Sequence, residues 1–330
     1  MNIQRADPLN PYQFHEVQLG LVDQLFVKKE RESRGFYQKM FDEDFARIFN
    51  TVSSNSDEIL CINSTDDSLI EKLLANIKPR YHTRSKDETI RRLVEEIAQS
   101  LIRFGTAYHY LYDDSEQNQI HIVSINAVNV LHFLGFYFQW VPKRTEKHWD
   151  RKDEQLPREL RLLNANKLLH FSMPAPINRV LAAQNKTLAV LDKHRFELND
   201  FHTQSSYENP NPTSYFDYNI WNQNQERALF RATRSTGWNA RNTSAVKCSA
   251  FFHCHRLIRF RRNQLILRDD ILQQLSCELS RVGKGYNSDF MVQIATADNA
   301  LNIAHLNKLE DQLHREEVGF TEVIDYCYEQ

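Results

Sequence analysis

The stretch from Ser85 to Gly105 constrains the fold of this chain more than any other. Ser85 and Glu88 have the spacing of a capping box at a helix start, and Gly105 can form the C-terminal cap. Between these caps, apolar residues recur at helical spacing: Ile90, Leu93, Val94, Ile97 and Leu101. The pattern predicts an amphipathic helix that buries one face and ends at Gly105.

Patterns typical of strands follow this helix. Residues 108–112, 119–125 and 130–141 are rich in aromatic and β-branched side chains, which favour strands, and Asp113, Asp114 and Ser115 form a turn signal between the first two. We therefore predict a small antiparallel sheet in the middle of the chain.

The remaining segments alternate between helical and extended patterns. Helices are predicted within residues 11–49 (two, joined near Gly35), 69–77, 187–201, 267–279 and 303–313, and short strands at 59–62, 168–171, 290–295 and 320–324. The predicted fold class is α+β, with a helical N-terminal part, a small antiparallel sheet in the middle and a mixed helix/strand C-terminal part.

Composition suggests where domains divide. Residues 204–222 are polar and contain Pro210 and Pro212, which is typical of a linker. The prediction is a helical segment plus small β-sheet domain at 1–203, a linker at 204–222 and a basic α+β domain at 223–330. Residues 142–157 are crowded with charge, which favours a solvated loop or extension.

Other features bear on the cellular location. The longest near-apolar run, residues 127–141, is shorter than the roughly 20 residues that cross a bilayer. The first ten residues lack the apolar segment of a secretory signal, and five cysteines are odd in number and scattered. We expect no membrane segment, reduced thiols and a cytoplasmic location.

Positive charge is concentrated in one part of the sequence. The basic block, residues 227–268, contains no Asp or Glu, although the whole chain has a formal net charge of −2. Such a concentration attracts polyanions, above all nucleic acid phosphates, but arginines also form ion-pair networks within and between subunits. Both interpretations stay open. The ten candidate nucleic-acid-binding residues are Arg227, Arg231, Arg234, Arg241, Lys247, Arg256, Arg259, Arg261, Arg262 and Arg268.

No motif in the chain indicates catalysis. The cluster of Cys248, His253, Cys254 and His255 lacks the paired spacing of zinc sites, and no phosphate loop or HExxH pair is present. We predict no catalytic residue, no metal site and no cofactor. An alternative is a metal-dependent nuclease of a mobile-element or antiviral defence system, using dispersed carboxylates such as Asp269, Asp270 and Glu278. Another is a protein-interaction subunit with an arginine-rich surface.

Residues 93–171 carry an order of features that resembles the portal proteins of tailed bacteriophages. A helix running into residues 102–108 (IRFGTAY) is similar to the family's helix followed by glycine and aromatic residues. Residues 120–128 resemble its β-ribbon, and residues 166–171 (NKLLHF) its following strand. The likeness covers about a quarter of the chain.

The resemblance implies a homo-oligomeric ring without catalytic residues that handles duplex DNA, located in the virion if the chain is a true portal protein. It also implies that residues 142–157 lie near the position of a clip. The function predicted from the sequence is thus a non-catalytic, oligomeric, portal-like DNA-interacting protein without a membrane partner.

Overall fold

The computed structural model describes residues 2–9, 20–27, 35–49, 59–75, 77, 85–114, 119–146, 154–193, 218–241, 249–297 and 300–328. The strands in these ranges are β1 Asn2–Arg5, β2 Leu60–Ser64, β3 Thr106–Asp114, β4 Gln119–Ile125, β5 Val130–Phe133, β6 Phe136–Val141, β7 Arg144–Glu146, β8 Glu154–Leu156, β9 Glu159–Leu162, β10 Leu168–Ser172 and β11 Val292–Thr296. The helices are α1 Asp23–Phe26, α2 Phe36–Ala46, α3 Asp67–Ala75, α4 Lys86–Phe104, α5 Ala175–Lys193, α6 Tyr218–Ala232, α7 Ala250–Gly283, α8 Ile303–His314 and α9 Phe320–Tyr328. The predicted α+β class is confirmed.

The chain forms two compact units, each assembled from separate segments. Unit 1 consists of Met1–Glu32, Ser54–Pro174 and Leu267–Ala300, and unit 2 of Ser33–Ser53, Ala175–Ile266 and Leu301–Gln330. Helix α7 contributes its first part to unit 2 and its second part to unit 1. Most of the predicted linker, residues 204–217, lies outside the described residues.

In unit 1, α4 begins and ends as its sequence predicts. The Ser85 hydroxyl accepts a hydrogen bond from the backbone N–H of Glu88 at 3.1 Å. Gly105 closes the helix with φ 76°, a left-handed conformation that glycine adopts without steric cost, and its N–H donates to the Leu101 carbonyl. The helix delivers the chain directly into β3.

Two sheets of unit 1 enclose a shared core. One has the strand order β10-β3-β4, and the other has the order β1-β9-β6-β5. Tyr108, Val130 and Leu168 belong to one buried cluster, so one face of the four-stranded sheet packs toward the three-stranded sheet. The Gln139 side chain is fully buried and hydrogen bonds to both the N–H and the carbonyl of Leu9, which holds the segment after β1 against the core.

The charged segment 142–157 includes a short antiparallel pair. Strands β7 and β8 pair from Arg144 opposite Leu156 to Glu146 opposite Glu154, while residues 147–153 lie outside the described part. Unit 1 also contains β11, which pairs antiparallel with β2.

Unit 2 is built mainly from helices. One hydrophobic cluster of unit 2 joins Cys254, Leu257 and Ile258 on α7 to α8 and α9. The strand predicted at residues 320–324 is wrong, because Val323 and Cys327 lie four residues apart and are both buried on one face of a helix, α9. The helix predicted at 187–201 begins earlier, at Ala175. Among the described helices, none combines the length and apolar character of a membrane span.

Candidate nucleic-acid interface

The structure distributes the basic block over two helices and their connection. Arg227 and Arg231 lie on α6, and Arg234 and Arg241 follow it. Lys247 lies outside the described residues. The other five residues are on α7, where Arg268 falls in unit 1 and the rest in unit 2: Arg256, Arg259, Arg261, Arg262 and Arg268.

Three arginines form an exposed row along α6 and its end. Arg227, Arg231 and Arg234 follow the helical spacing of four and three residues, and all three are exposed. Arg227 and Arg231 line a groove of about 610 Å³ between α5 and α6. Among the described residues, those that line the groove include no Asp or Glu: Val180, Ala183, Gln184, Thr187, Asn224, Arg227, Ala228, Arg231, Ala232 and Ser235.

A buried amide also lines this groove. Gln184 on α5 is 3% exposed, and its Oε1 accepts a hydrogen bond from the Thr236 hydroxyl. Its Nε2 has no hydrogen-bond partner in the described structure. A buried donor without a partner costs free energy, so the groove contains a group that an anion could satisfy.

Arg256 has a different environment, inside unit 2. It is 3% exposed and donates to the Asn239 side chain, to the Thr233 hydroxyl at 2.6 Å, and to the carbonyls of Phe230 and Trp238. The guanidinium therefore ties the end of α6 to α7.

The turn after α6 is fitted closely against α7. Gly237 has φ 81°, and a Cβ at that position would lie 2.2 Å from the carbonyl oxygen of Arg256. Only glycine meets both the backbone conformation and this close approach.

Arg261 and Arg268 are also buried. Arg261 donates to the carbonyl of Cys327 and to Gln264 Oε1, both at 2.8 Å, and burial lowers the pKa of its guanidinium. Arg268, in unit 1, pairs with Asp269 at 2.8 Å.

The remaining three arginines are partly exposed but engaged. Arg241 pairs with Asp44 at 2.6 Å and with Glu43, and the hydrogen bond to Asp44 is the main reason that its pKa is raised. Arg262 pairs with Glu310. Arg259 donates to the carbonyl of Arg234 at 3.0 Å and contacts a ring nitrogen of His255.

The aromatic residues of the basic block also divide into buried and exposed groups. Trp238 is buried and donates to Asp44, and Phe260 packs against Phe45 in unit 2. Phe251 and Phe252 are exposed. Trp238 is thus part of the core and cannot stack on an unpaired base without unfolding its surroundings.

The carboxylates considered for a nuclease are each engaged within unit 1. Asp269 pairs with Arg268, and Asp270 accepts from Gln274 while burial raises its pKa. Glu278 accepts from the backbone N–H of His170 at 3.1 Å and pairs with Arg281. These contacts account for all three carboxylates structurally.

One surface of unit 1 was missed by sequence reasoning. The face of the four-stranded sheet that points away from the core carries apolar side chains, and we call it the apolar sheet face. Directly opposed residues share a face, so the register places these side chains together: Leu131, Phe133, Phe136, Phe138 and Leu162. Their alternation along β5 and β6 was the available signal.

Part of the same face is covered by α1. Phe26 stacks on Trp140 with ring centroids 4.4 Å apart, and Asp23 accepts hydrogen bonds from Trp140 and Arg158. Burial opposes ionisation of Asp23, but the hydrogen bonds from Arg158 and Trp140 outweigh it and hold its pKa below the usual value. The hairpin end of the face has no such cover in the described structure, where Phe133 is 66% and Phe136 57% exposed.

The turn that joins β5 to β6 adds to this exposure. Leu134 is 79% exposed and has φ 49°, and Gly135 has φ 80°. Two successive positive φ values match a tight hairpin turn, in which Asn or Gly is usual. A leucine here combines an unfavourable backbone conformation with an apolar side chain in water.

Comparison with known proteins gives matches only among solved structures. No family model matches the sequence, and no curated protein matches it. The structure is similar to "Virion of native gene transfer agent (GTA) particle", with TM-score 0.43, 9% identity and 87% of each chain covered. It is also similar to "Neck of native GTA particle computed with C12 symmetry", with TM-score 0.43, 8% identity and coverage of 86% of this chain and 87% of that one.

A phage portal protein is among the similar structures. This is the HK97 family portal protein from Corynebacterium diphtheriae, with TM-score 0.38 and 10% identity, matched over 82% of this chain and 95% of that chain.

Proposed function

We propose that this chain is a non-catalytic, portal-like structural subunit that assembles with copies of itself and contacts nucleic acid through the arginine row of α6. The proposal of self-assembly rests on the hairpin end of the apolar sheet face, which no described residue covers. Contiguous apolar surface of this kind marks sites of protein association.

The energetics favour a covered state for this hairpin. Burying a large apolar side chain contributes about 1.5–3 kcal/mol, so covering Phe133, Leu134 and Phe136 would contribute several kcal/mol to association. The positive φ of Leu134 costs free energy in the isolated chain. A partner surface that buries the leucine side chain would offset both the cost of this backbone conformation and the cost of exposing the side chain to water.

We assign this partner surface to a second copy of the chain, because the sequence resemblance implies a ring. A ring joins two different surfaces of identical subunits, so the apolar sheet face needs one complementary surface on its neighbour.

The test of assembly is the particle mass of the full chain in solution, measured by light scattering. The double variant F133S/F136S is expected to be monomeric at concentrations where the parent chain assembles. The control V190S changes an exposed apolar residue of α5, 54% exposed, and is expected to leave the mass unchanged. A monomeric parent chain, or an F133S/F136S variant of unchanged mass, would contradict the proposal.

A second substitution separates assembly from folding. L134G removes the exposed side chain and relieves the positive φ, so we expect the monomer to gain about 0.5–1 kcal/mol in free energy of unfolding while assembly weakens. If L134G strengthened or preserved assembly, Leu134 would have no role in it.

The nucleic acid contact rests on a separate observation. Arg227, Arg231 and Arg234 are exposed and aligned, and the part of the groove lining that the structure describes contains no acidic residue. Two or three such cations can neutralise phosphates along one strand, independently of base sequence.

Charge reversal tests this contact. R227E/R231E is expected to weaken binding to a labelled DNA duplex, measured by fluorescence anisotropy, by at least about tenfold at low salt. The control K308E/R315E reverses the same number of exposed charges on and after α8, and is expected to retain most of the affinity. Equal losses in both variants would show a net-charge effect and would contradict the assignment to α6.

A further inference from the structure

Three side chains of unit 2 form a cluster that neither the assembly nor the nucleic acid contact uses. His255 lies on α7, and Glu310 and His314 lie on α8. One potential ligand atom from each residue lies within 4.8 Å of the other two. Glu310 and His314 are four residues apart and therefore project from the same side of α8.

The distance between two of these atoms is close to that between two ligands of one metal ion. His255 Nδ1 lies at ion-pair distance, 3.1 Å, from Glu310 Oε1, and it makes no hydrogen bond in the described structure. Two ligand atoms bound tetrahedrally at ~2.0–2.1 Å lie about 3.3 Å apart. The nitrogen and the oxygen are thus spaced as two ligands of one ion.

Neighbouring groups hold these ligands in place. Arg262 bonds to Glu310 Oε2, which fixes the carboxylate and leaves Oε1 directed at the imidazole. The Phe251 ring lies parallel to His255 and meets His314 edge-on, with centroids 5.6 Å apart for the latter pair. A carboxylate ligand that is held in place by a hydrogen bond from a neighbouring residue is typical of metal sites.

We propose that His255, Glu310 and His314 bind a divalent transition-metal ion, with zinc as the best fit. Two imidazole nitrogens and one carboxylate oxygen match the preferences of zinc, whereas magnesium and calcium prefer oxygen ligands alone. His314 is exposed, so a water molecule can complete a tetrahedral set. This site is independent of the proposed function.

Arg259 opposes metal binding at this site. Its NH2 group lies 2.9 Å from His255 Nε2. A metal on Nδ1 requires the proton on Nε2, and two donors would then face each other. Metal binding therefore requires the partly exposed Arg259 side chain to move away.

The test measures binding of zinc to the full chain, prepared without a histidine tag and freed of metal by a chelator. Isothermal calorimetry is expected to give one zinc ion per chain, and cobalt is expected to give the visible absorption of a low-symmetry site. H314A is expected to weaken zinc binding at least 100-fold, and E310Q at least tenfold. H305A, which removes another exposed histidine of α8, serves as the control and is expected to bind as the parent chain does.

A gain-of-affinity variant provides a second measure. R259Q removes the opposing cation and supplies an amide oxygen that can accept the Nε2 proton, so zinc affinity is expected to rise about tenfold. No zinc binding by the parent chain, or equal binding by parent and H314A, would overturn the proposal. Reduced binding by H305A to the level of H314A would also overturn it, because the ligands would then be surface histidines in general.

Discussion

The arginines of α6 and those of α7 come from one basic block but have opposite environments. Arg227 and Arg231 are exposed and line a groove whose described residues include no Asp or Glu. Arg256 and Arg261 are no more than 5% exposed and donate mainly to backbone carbonyls. Side chains of the same type and charge are therefore exposed on one helix and buried in hydrogen bonds on the other.

This difference shows what a buried arginine contributes. A guanidinium has five N–H donors, enough to satisfy several carbonyls at helix ends that would otherwise be buried without a partner. On α7 the cation is a structural cross-link. On α6 the same group is available to a ligand, so only the α6 row enters the proposed nucleic acid interface.

The largest expected effect follows from removing the Arg256 cross-link. R256M keeps most of the side-chain volume but leaves the carbonyls of Phe230 and Trp238 without their donor, so the free energy of unfolding should fall by about 3–5 kcal/mol. Urea denaturation measures this loss. The matched variant R231M should remain within about 0.5 kcal/mol of the parent chain. Equal losses would mean that the two helices do not differ as described.

A smaller loss is expected for Arg261. Its two described hydrogen bonds go to Cys327 and Gln264, so R261M should lower the free energy of unfolding by about 2–3 kcal/mol. Because Arg261 holds α9, the thiol of Cys327 should also become accessible to a thiol reagent, and its rate of modification provides a second measurement. A stable variant with an unreactive Cys327 would contradict this account.

The exposed row should affect binding and not stability. The neutral variant R227Q/R231Q removes two phosphate contacts, so the slope of log affinity for duplex DNA against log salt should decrease in magnitude by about two. In free energy at moderate salt the loss should be about 1.4 kcal/mol, which is tenfold in affinity. An unchanged slope would remove α6 from the interface.

The smallest effect should come from Arg241, which is exposed but paired. R241Q breaks ion pairs with Asp44 and Glu43 on the surface of unit 2, and such pairs contribute less than about 1 kcal/mol. Thermal unfolding at low and high salt should show that the difference from the parent chain disappears as salt is added. A loss as large as that of R256M would place Arg241 with the structural cross-links.

Local patterns predicted much of unit 1. The capping residues and apolar spacing of α4 are sufficient to define its ends, and the aromatic and β-branched segments became β3 to β6. Caps, apolar spacing and strand-forming composition depend only on residues that lie close together in the sequence. The periodicity of residues 267–279 also predicted a helix, but α7 extends back to Ala250 through the arginines, whose long side chains hide the apolar spacing.

Burial of the arginines could not be predicted in this way. The spacing of Arg256, Arg259 and Arg262 places them near one another on a helix, but it does not say which elements cover that helix. The carbonyls that accept hydrogen bonds from Arg256 belong to Phe230 in the last turn of α6 and to Trp238 in the turn after it. The carbonyl that accepts from Arg261 lies on α9. Only the tertiary fold brings these together. The cluster of His255, Glu310 and His314 was missed for the same reason.

The pairing of β2 with β11 has a consequence for biosynthesis. Leu60 to Ser64 pair with Val292 to Thr296, so β2 lacks this partner strand until residues 292–296 have left the ribosome. Long-range pairing of this kind slows folding and leaves apolar segments exposed to aggregation in the meantime. Shortened versions ending before β11 should therefore accumulate in inclusion bodies.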